Sequence, residues 1–216
     1  MIKLNNQESI LYNKNPGENL DNKVFGYERR ICFTKLDEDG LDDMYEYSRM
    51  PEFYKYLTGL NPHKNKEDTR KYLKILMERN NSGYYEGRAM YWFLRLRTSN
   101  KVIGTFGLVG VDFDKQTAIM GKGLSPKYWG KGLMFETMWI ALKYCFEELD
   151  LHTINTITNK NNLPNIAMMK VCGARDPLKN ELIKLNDPPT GYMILTLKKS
   201  NVNLTKCLAL AKIGSV

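Results

Sequence analysis

Ser125-Pro-Lys-Tyr-Trp-Gly130-Lys-Gly132-Leu-Met134 is the stretch whose reading decides the fold. A strand-like run, Thr117 to Leu124, ends against it, and a helix-like run, Leu133 to Leu149, leaves it. The first N–H groups of a helix have no intrahelical partners, and the helix dipole adds partial positive charge there. Such a terminus is a phosphate cradle if the backbone can come close to the ligand. Gly130 and Gly132 carry no Cβ to block that approach, and Lys127 and Lys131 add full charges. Gly-x-Gly alone is also what an ordinary tight turn into a helix looks like.

A second stretch, Asn162-Leu-Pro-Asn165-Ile-Ala-Met-Met169-Lys-Val-Cys-Gly173-Ala174, lies downstream. Taken with the first, it resembles the Gcn5-related N-acetyltransferase (GNAT) superfamily, in particular its ribosomal-protein alanine acetyltransferase-like (RimJ/RimL-type) branch. Members carry a Gln/Arg-x-x-Gly-x-Gly/Ala loop for the pyrophosphate of acetyl-CoA; the corresponding residues here are Lys127, Gly130 and Gly132, with lysine in the Gln/Arg place. Ile103-Gly-Thr-Phe-Gly-Leu108 and Tyr144-Cys-Phe-Glu-Glu-Leu-Asp-Leu-His152 also fit, and the likeness runs from about Arg29 to Lys199. The resemblance implies a GNAT-like α/β fold: a mixed, mostly antiparallel sheet with helices on both faces. Its fourth and fifth strands, here Thr117–Leu124 and His152–Thr158, splay apart to admit CoA. The cofactor contacts it implies are Leu124, Lys127, Tyr128, Trp129, Gly130, Lys131, Gly132, Leu133 and Met134, with Asn162 and Asn165 on the second stretch.

Length and composition agree with one domain that has a real core: 216 residues, 43% hydrophobic and 26% charged. No apolar run approaches the roughly 20 residues that span a bilayer, and the N-terminus lacks the apolar region of a secretory signal, so a cytoplasmic protein with no membrane partner is expected. The net charge of +8 suits an anionic partner. Its lysines are dispersed, which favours CoA over nucleic acid. Cys32, Cys145, Cys172 and Cys207 form no Cys-x-x-Cys pair, and with only His63 and His152 a metal site is not expected. Either a monomer or a homodimer is compatible with these features.

Residues 1–26 read as an Asn-rich N-terminal extension, 27–199 as the acetyltransferase domain and 200–216 as a C-terminal tail, with Leu204 to Ile213 weakly amphipathic. Within the domain, Tyr27 to Lys35 suits a strand. Asp37 is a candidate N-cap for a helix to about Arg49, and Glu52 to Leu57 reads as a short helical continuation. Asn65 and Asp68 resemble a capping pair for a helix ending near Arg79. Met90 to Arg97, Val102 to Phe113 and Thr117 to Leu124 form a meander of β-branched and aromatic runs. A helix opened by Pro164 and ended by Gly173, then strands at Asn180 to Leu185 and Tyr192 to Leu197, complete the domain.

The implied reaction is direct attack of an acceptor amine on the acetyl-CoA thioester. Relatives often carry a glutamate on the fourth strand, where Ile119 stands here, and a tyrosine acid seven residues after the conserved Asn, where Met169 stands. With those groups gone, His63 in Leu60-Asn-Pro-His-Lys-Asn65 is a candidate general base, because an unperturbed imidazole titrates near neutrality. Asp112 and Asp114 are alternatives but suit turn capping, and His152 suits a structural place. Tyr54, Tyr84, Tyr85 and Trp92 are candidates to line the acceptor site, or to pack in loop and core. The expected activity is acetyl-CoA-dependent N-acetylation of a small amine or amino sugar. Protein N-terminal acetylation and non-catalytic CoA binding are the rivals.

Overall fold

β-branched and aromatic runs broken by Thr-Ser-Asn and Asp-Lys-Gln turns build the centre of the fold. β1 (Ile31–Thr34), β2 (Arg88–Leu96), β3 (Val102–Asp112) and β4 (Thr117–Leu124) pair antiparallel in chain order. Asn100 and Gln116 take positive φ at the two tight turns. β5 (Thr153–Asn159) joins β4 in parallel, and β6 (Tyr192–Lys198) closes the six-stranded sheet antiparallel to β5. The computed structural model describes residues 25–26, 29–57, 60–81, 88–178, 181 and 188–213. Of the strand expected at Asn180 to Leu185 only Glu181 is described, with its N–H bonded to Leu178 O, and most of the N-terminal extension lies outside those residues.

Helices cover both faces. On one side α1 (Leu41–Ser48) and α3 (Lys66–Asn81) pack Leu41, Met44, Tyr47, Leu73 and Leu76 against Phe93 and Val102; the short α2 (Pro51–Tyr54) sends Phe53 to the same cluster. Asp37 caps the 3₁₀ turn that leads into α1, accepting the Gly40 N–H at 3.0 Å. Asn65 Oδ1 accepts Asp68 N–H, and Asp68 returns the bond to Lys64 N–H, so the expected capping pair is formed. On the other side lie α4 (Leu133–Lys143), α5 (Leu163–Val171) and α6 (Leu204–Ile213). Met138, Leu142 and Cys145 line the core face of the α4 segment, as their spacing predicts. α4 does not run unbroken to Leu149: it passes into a π turn at Tyr144–Glu148, where Leu149 N–H bonds Tyr144 O.

All four cysteines are free and buried; Cys207 of α6 donates to Cys172 at the end of α5. Among the described residues no helix is long and apolar enough to cross a membrane.

The feature that positions the site is where pairing stops. β4 and β5 pair only at Thr117–Thr153, Ala118–Ile154 and Ile119–Asn155. Beyond those three pairs both strands continue, to Leu124 and Asn159, each still bonded to its outer neighbour but not to the other. The sheet is therefore splayed, leaving inward backbone groups of residues 120–124 without a strand partner. Buried or ligand-facing backbone groups left this way need some other partner.

Candidate active site

The open end of the gap meets the N-terminus of α4. Pro126–Tyr128 forms a single 3₁₀ turn, and Gly132, with φ of 69°, is the α4 N-cap and supplies no side-chain bond. The first intrahelical bond runs from Glu136 N–H to Gly132 O, so the N–H groups of Leu133, Met134 and Phe135 precede the bonded ladder. Gly130 has φ of 74°, and an added Cβ there would meet nothing within 4 Å. A glycine with positive φ facing open space beside bare helix N–H groups fits an anion such as a pyrophosphate. Gly132 answers to a different neighbour: a Cβ there would lie 2.7 Å from the Ala211 carbonyl of α6. Its missing side chain makes room for the C-terminal helix.

The charged and aromatic residues of the loop are arranged around this terminus. Lys127 is salt-bridged to Glu46 of α1, which also holds Lys101; these two lysines keep the Glu46 carboxyl below its usual range. Lys131 is exposed, with its ammonium over the Tyr128 ring at 5.3 Å. Trp129 is exposed and its indole N–H donates to Leu124 O at 2.7 Å, tying the loop to the end of β4. Leu133 is buried and Met134 packs partly against the core. Arg30, not singled out from the sequence, braces the loop from behind: it pairs with buried Glu136 at 2.8 Å and donates to Lys131 O and Ala211 O. Glu136 in turn accepts the Ile31 N–H, joining α4 to β1 across 105 residues.

On the β5 side, Asn162 caps α5 by accepting Asn165 N–H at 3.3 Å, and Asn165 Nδ2 donates to Thr158 Oγ1 at 2.9 Å. The two asparagines thus anchor α5 to the unpaired half of β5. Across the gap stands a residue the sequence reading passed over. Ala118, Met120 and Leu124 put their side chains into the core beneath β4, and Lys122 is in phase with them. Its Nζ reaches α5 and contacts Met169 Sδ at 3.4 Å. Burial pulls the Lys122 ammonium down to about 8. The available signal was register: one lysine in an otherwise apolar phase of a strand.

The other face of β4 is open at Gly121, exposed and with nothing within 4 Å of an added Cβ. Next to it the Phe53 ring lies against Gly123, 2.7 Å from where a Cβ would stand. Tyr54 packs on Phe53, with ring centroids 5.2 Å apart, and burial holds its hydroxyl protonated, up to about 12. His63 follows, 6.2 Å from Tyr54, its Nδ1 bonded to Thr69 Oγ1 at 2.8 Å. Desolvation lowers the His63 pKa, which keeps the imidazole neutral; its ring contacts Tyr54, which packs on the Phe53 that lies against Gly123 of β4.

Trp92 requires a correction. It is completely buried among Phe25, Phe106 and Tyr144, because β2 is an inner strand with helices on both sides, so it lines the core and no cleft. Tyr84 and Tyr85 lie outside the described residues. Asp112 holds the β3–β4 turn, accepting from Lys115 N–H and pairing with its ammonium. His152 leads into β5 and is bonded through its backbone to Gln116 O.

Known proteins share parts of this sequence and the overall fold. An uncharacterized N-acetyltransferase p20 of Bacillus licheniformis is 26% identical over 143 residues, which is 66% of this chain and 78% of that protein. The spermidine N-acetyltransferase of Vibrio cholerae, solved with CoA and spermine, superposes with a TM-score of 0.62 at 15% identity, covering 80% of this chain and 97% of that one. RimJ of Mycobacterium smegmatis, solved with CoA-disulfide, gives 0.63 at 15% identity, covering 86% and 90%. At such identities the two structures show a shared fold. The family model for the acetyltransferase (GNAT) domain matches residues 30–175. With the splayed sheet and the family match pointing the same way, the chain belongs to the GNAT family and is an acetyltransferase.

Proposed function

We propose that this protein transfers the acetyl group of acetyl-CoA to a small amine of low basicity, such as an amino sugar. The observation that carries the reading is the gap between β4 and β5, open beyond Ile119–Asn155 and ending at Gly130 and the α4 N-terminus. The α4 N–H groups, Lys131 and Lys127 would hold the pyrophosphate, Lys127 by exchanging Glu46 for phosphate. The unpaired edges of β4 and β5 would hold the pantetheine amides as an added strand does. Holding both reactants in register contributes up to about 7–11 kcal/mol to such a reaction without any covalent intermediate. The catalytic unit is read as residues 27–199, and the branch as RimJ/RimL-type, on the spacing of Lys127, Gly130, Gly132, Asn162 and Gly173.

Basicity selects the acceptor class. A lysine-like amine of pKa about 10.4 costs roughly 4.6 kcal/mol to deprotonate at pH 7, and an α-amino group near 7.8 only about 1.1. No carboxylate stands at position 119 to take the proton, and His63 is occupied by a hydrogen bond to Thr69 beside Tyr54. An acceptor that is already partly neutral needs neither. His63→Ala is therefore expected to lower kcat less than tenfold, short of the about 10²–10⁴ of a lost general base.

A second reading, acetylation of a peptide N-terminus, is favoured by the exposure of Gly121, which leaves that side of β4 open to a larger acceptor. The deciding experiment measures thiol release from acetyl-CoA with glucosamine, spermidine and short peptides as acceptors, each over a range of pH. The first reading expects turnover with glucosamine to exceed that with peptides. A preference for peptides selects the second, and calorimetric binding of acetyl-CoA without turnover of any amine selects a non-catalytic binder.

A further inference from the structure

The upper half of β4 exposes its backbone to the gap, yet it directs one cation toward α5. Lys122 is flanked by Met120 and Leu124 in its own phase, and lies opposite Phe106 of β3 in the ladder. Its Nζ rests on Met169 Sδ, and no carboxylate among the described residues forms a salt bridge with it. Among the described residues the titratable group that acts on it is Cys172, at the end of α5. Cys172 is itself buried and in contact with the Cys207 thiol, which together hold its proton on. A desolvated ammonium without a counter-ion is a costly thing to keep in a fold.

Position explains what it can serve. On the acetyl-CoA reading, on which this inference rests, the pantetheine arm enters from Gly130 and runs along residues 124 to 120. That stretch is about 16 Å of strand. The thioester then reaches the closed end of the gap, where the ladder resumes at Ile119 and Asn155. Lys122 is the only ionisable side chain of β4 and lies three residues from Ile119, on the stretch that the arm would follow. Met169 beneath it has no proton to give.

We infer that Lys122 is a catalytic residue whose ammonium faces the CoA sulfur and donates a proton to it as the thioester breaks. The balance is simple. The amine nitrogen forms a bond to the acetyl carbon, and the carbon–sulfur bond breaks with its electron pair on sulfur. The Lys122 ammonium gives sulfur a proton. The proton that nitrogen sheds passes through water and restores the ammonium, so that no other reagent is consumed. An amine drawn down to about 8 is matched to this task, since a thiol titrates near about 8.5 and proton transfer between matched groups is efficient near neutrality.

The test needs no acceptor. Free CoA is titrated when bound to the wild type, to Lys122→Met and to Lys122→Gln, reading the ultraviolet absorbance of the thiolate against pH. Desulfo-CoA binding is measured in parallel by calorimetry. A cation beside the sulfur lowers the bound thiol pKa by about 1–3 units in the wild type. Both variants should lose that shift while binding desulfo-CoA within about threefold of the wild type, since the phosphate contacts are untouched. CoA that binds wild type and variants with the same thiol titration removes the role of Lys122 and leaves the cofactor reading standing. Failure of the wild type to bind CoA at all removes the cofactor reading, and this inference falls with it.

Discussion

The two halves of β4 contrast. Thr117 to Ile119 has a strand on each side, with one register shift of β3 opposite Ala118, and buried Ala118 sits between two half-buried neighbours. Met120 to Leu124 has β3 on one side and a gap on the other, and it carries both a glycine open to solvent and a lysine on the core face. The paired half obeys the rule that backbone and side chains satisfy each other within the fold. The open half breaks it twice, once in the backbone and once at Lys122. Departures from local consistency concentrate where a protein binds or reacts.

The largest effect is expected in the paired half. Ala118 is 2% exposed, and Ala118→Asp would bury a carboxylate with no partner, costing about 3–5 kcal/mol. Chemical denaturation should show a fold near or past its limit; a midpoint like that of the wild type would mean that this half is not the packed region described.

Lys122→Met should act in the opposite direction. With the ammonium drawn from 10.5 to about 8, keeping it charged costs up to about 3 kcal/mol near neutral pH. The sign follows from the depressed folded-state pKa. Below pH 8 the charged lysine weighs against the fold in full. As pH rises through 8 the folded state sheds the proton first and the penalty fades, to vanish above the unfolded value. The variant should therefore be more stable than the wild type at pH 7, with its advantage gone near pH 11. A variant less stable at pH 7 would show Lys122 to be structural.

The Gly130–Gly132 loop sharpens the comparison at a smaller scale. Gly132→Ala meets the Ala211 carbonyl and should cost about 1–3 kcal/mol in stability. Gly130→Ala meets nothing and should cost about 1–2 kcal/mol, from its positive φ alone. Its larger consequence should be weaker acetyl-CoA binding by calorimetry. Equal affinities in wild type and Gly130→Ala would move the pyrophosphate elsewhere.

The smallest effect is expected at Gly121. Its φ is ordinary and the space beside it is empty, so Gly121→Ala should leave stability within about 1 kcal/mol or raise it. Reduced turnover at unchanged stability would mark that open face as the path of the acceptor, while unchanged turnover would take the path elsewhere.

How much of this was legible in the chain depends on range. The meander from β2 to β4 and the capping pair of Asn65 and Asp68 are written in neighbouring residues, and the structure keeps them almost residue for residue. The splay came from likeness to a family, because nothing in Thr117–Leu124 says where a parallel partner stops. Trp92 misled because an aromatic in a strand has the same letters whether its face meets a cleft or a helix. The brace of Arg30, Glu136 and Ala211 joins residues 106 and 181 positions apart, which no local pattern records. The π turn at Tyr144–Glu148 leaves the apolar spacing almost unchanged and so hides inside a helical reading.

That brace also bears on the order of synthesis. Gly130 and Gly132 emerge early, but the helix against which Gly132 rests, and the carbonyl that Arg30 grips, arrive only after residues through 211 have been made. Until then the Gly130–Gly132 loop lacks its back wall. A tag or truncation that disturbs residues 204–213 should accordingly reach the loop from a distance, lowering affinity for CoA while the sheet remains folded.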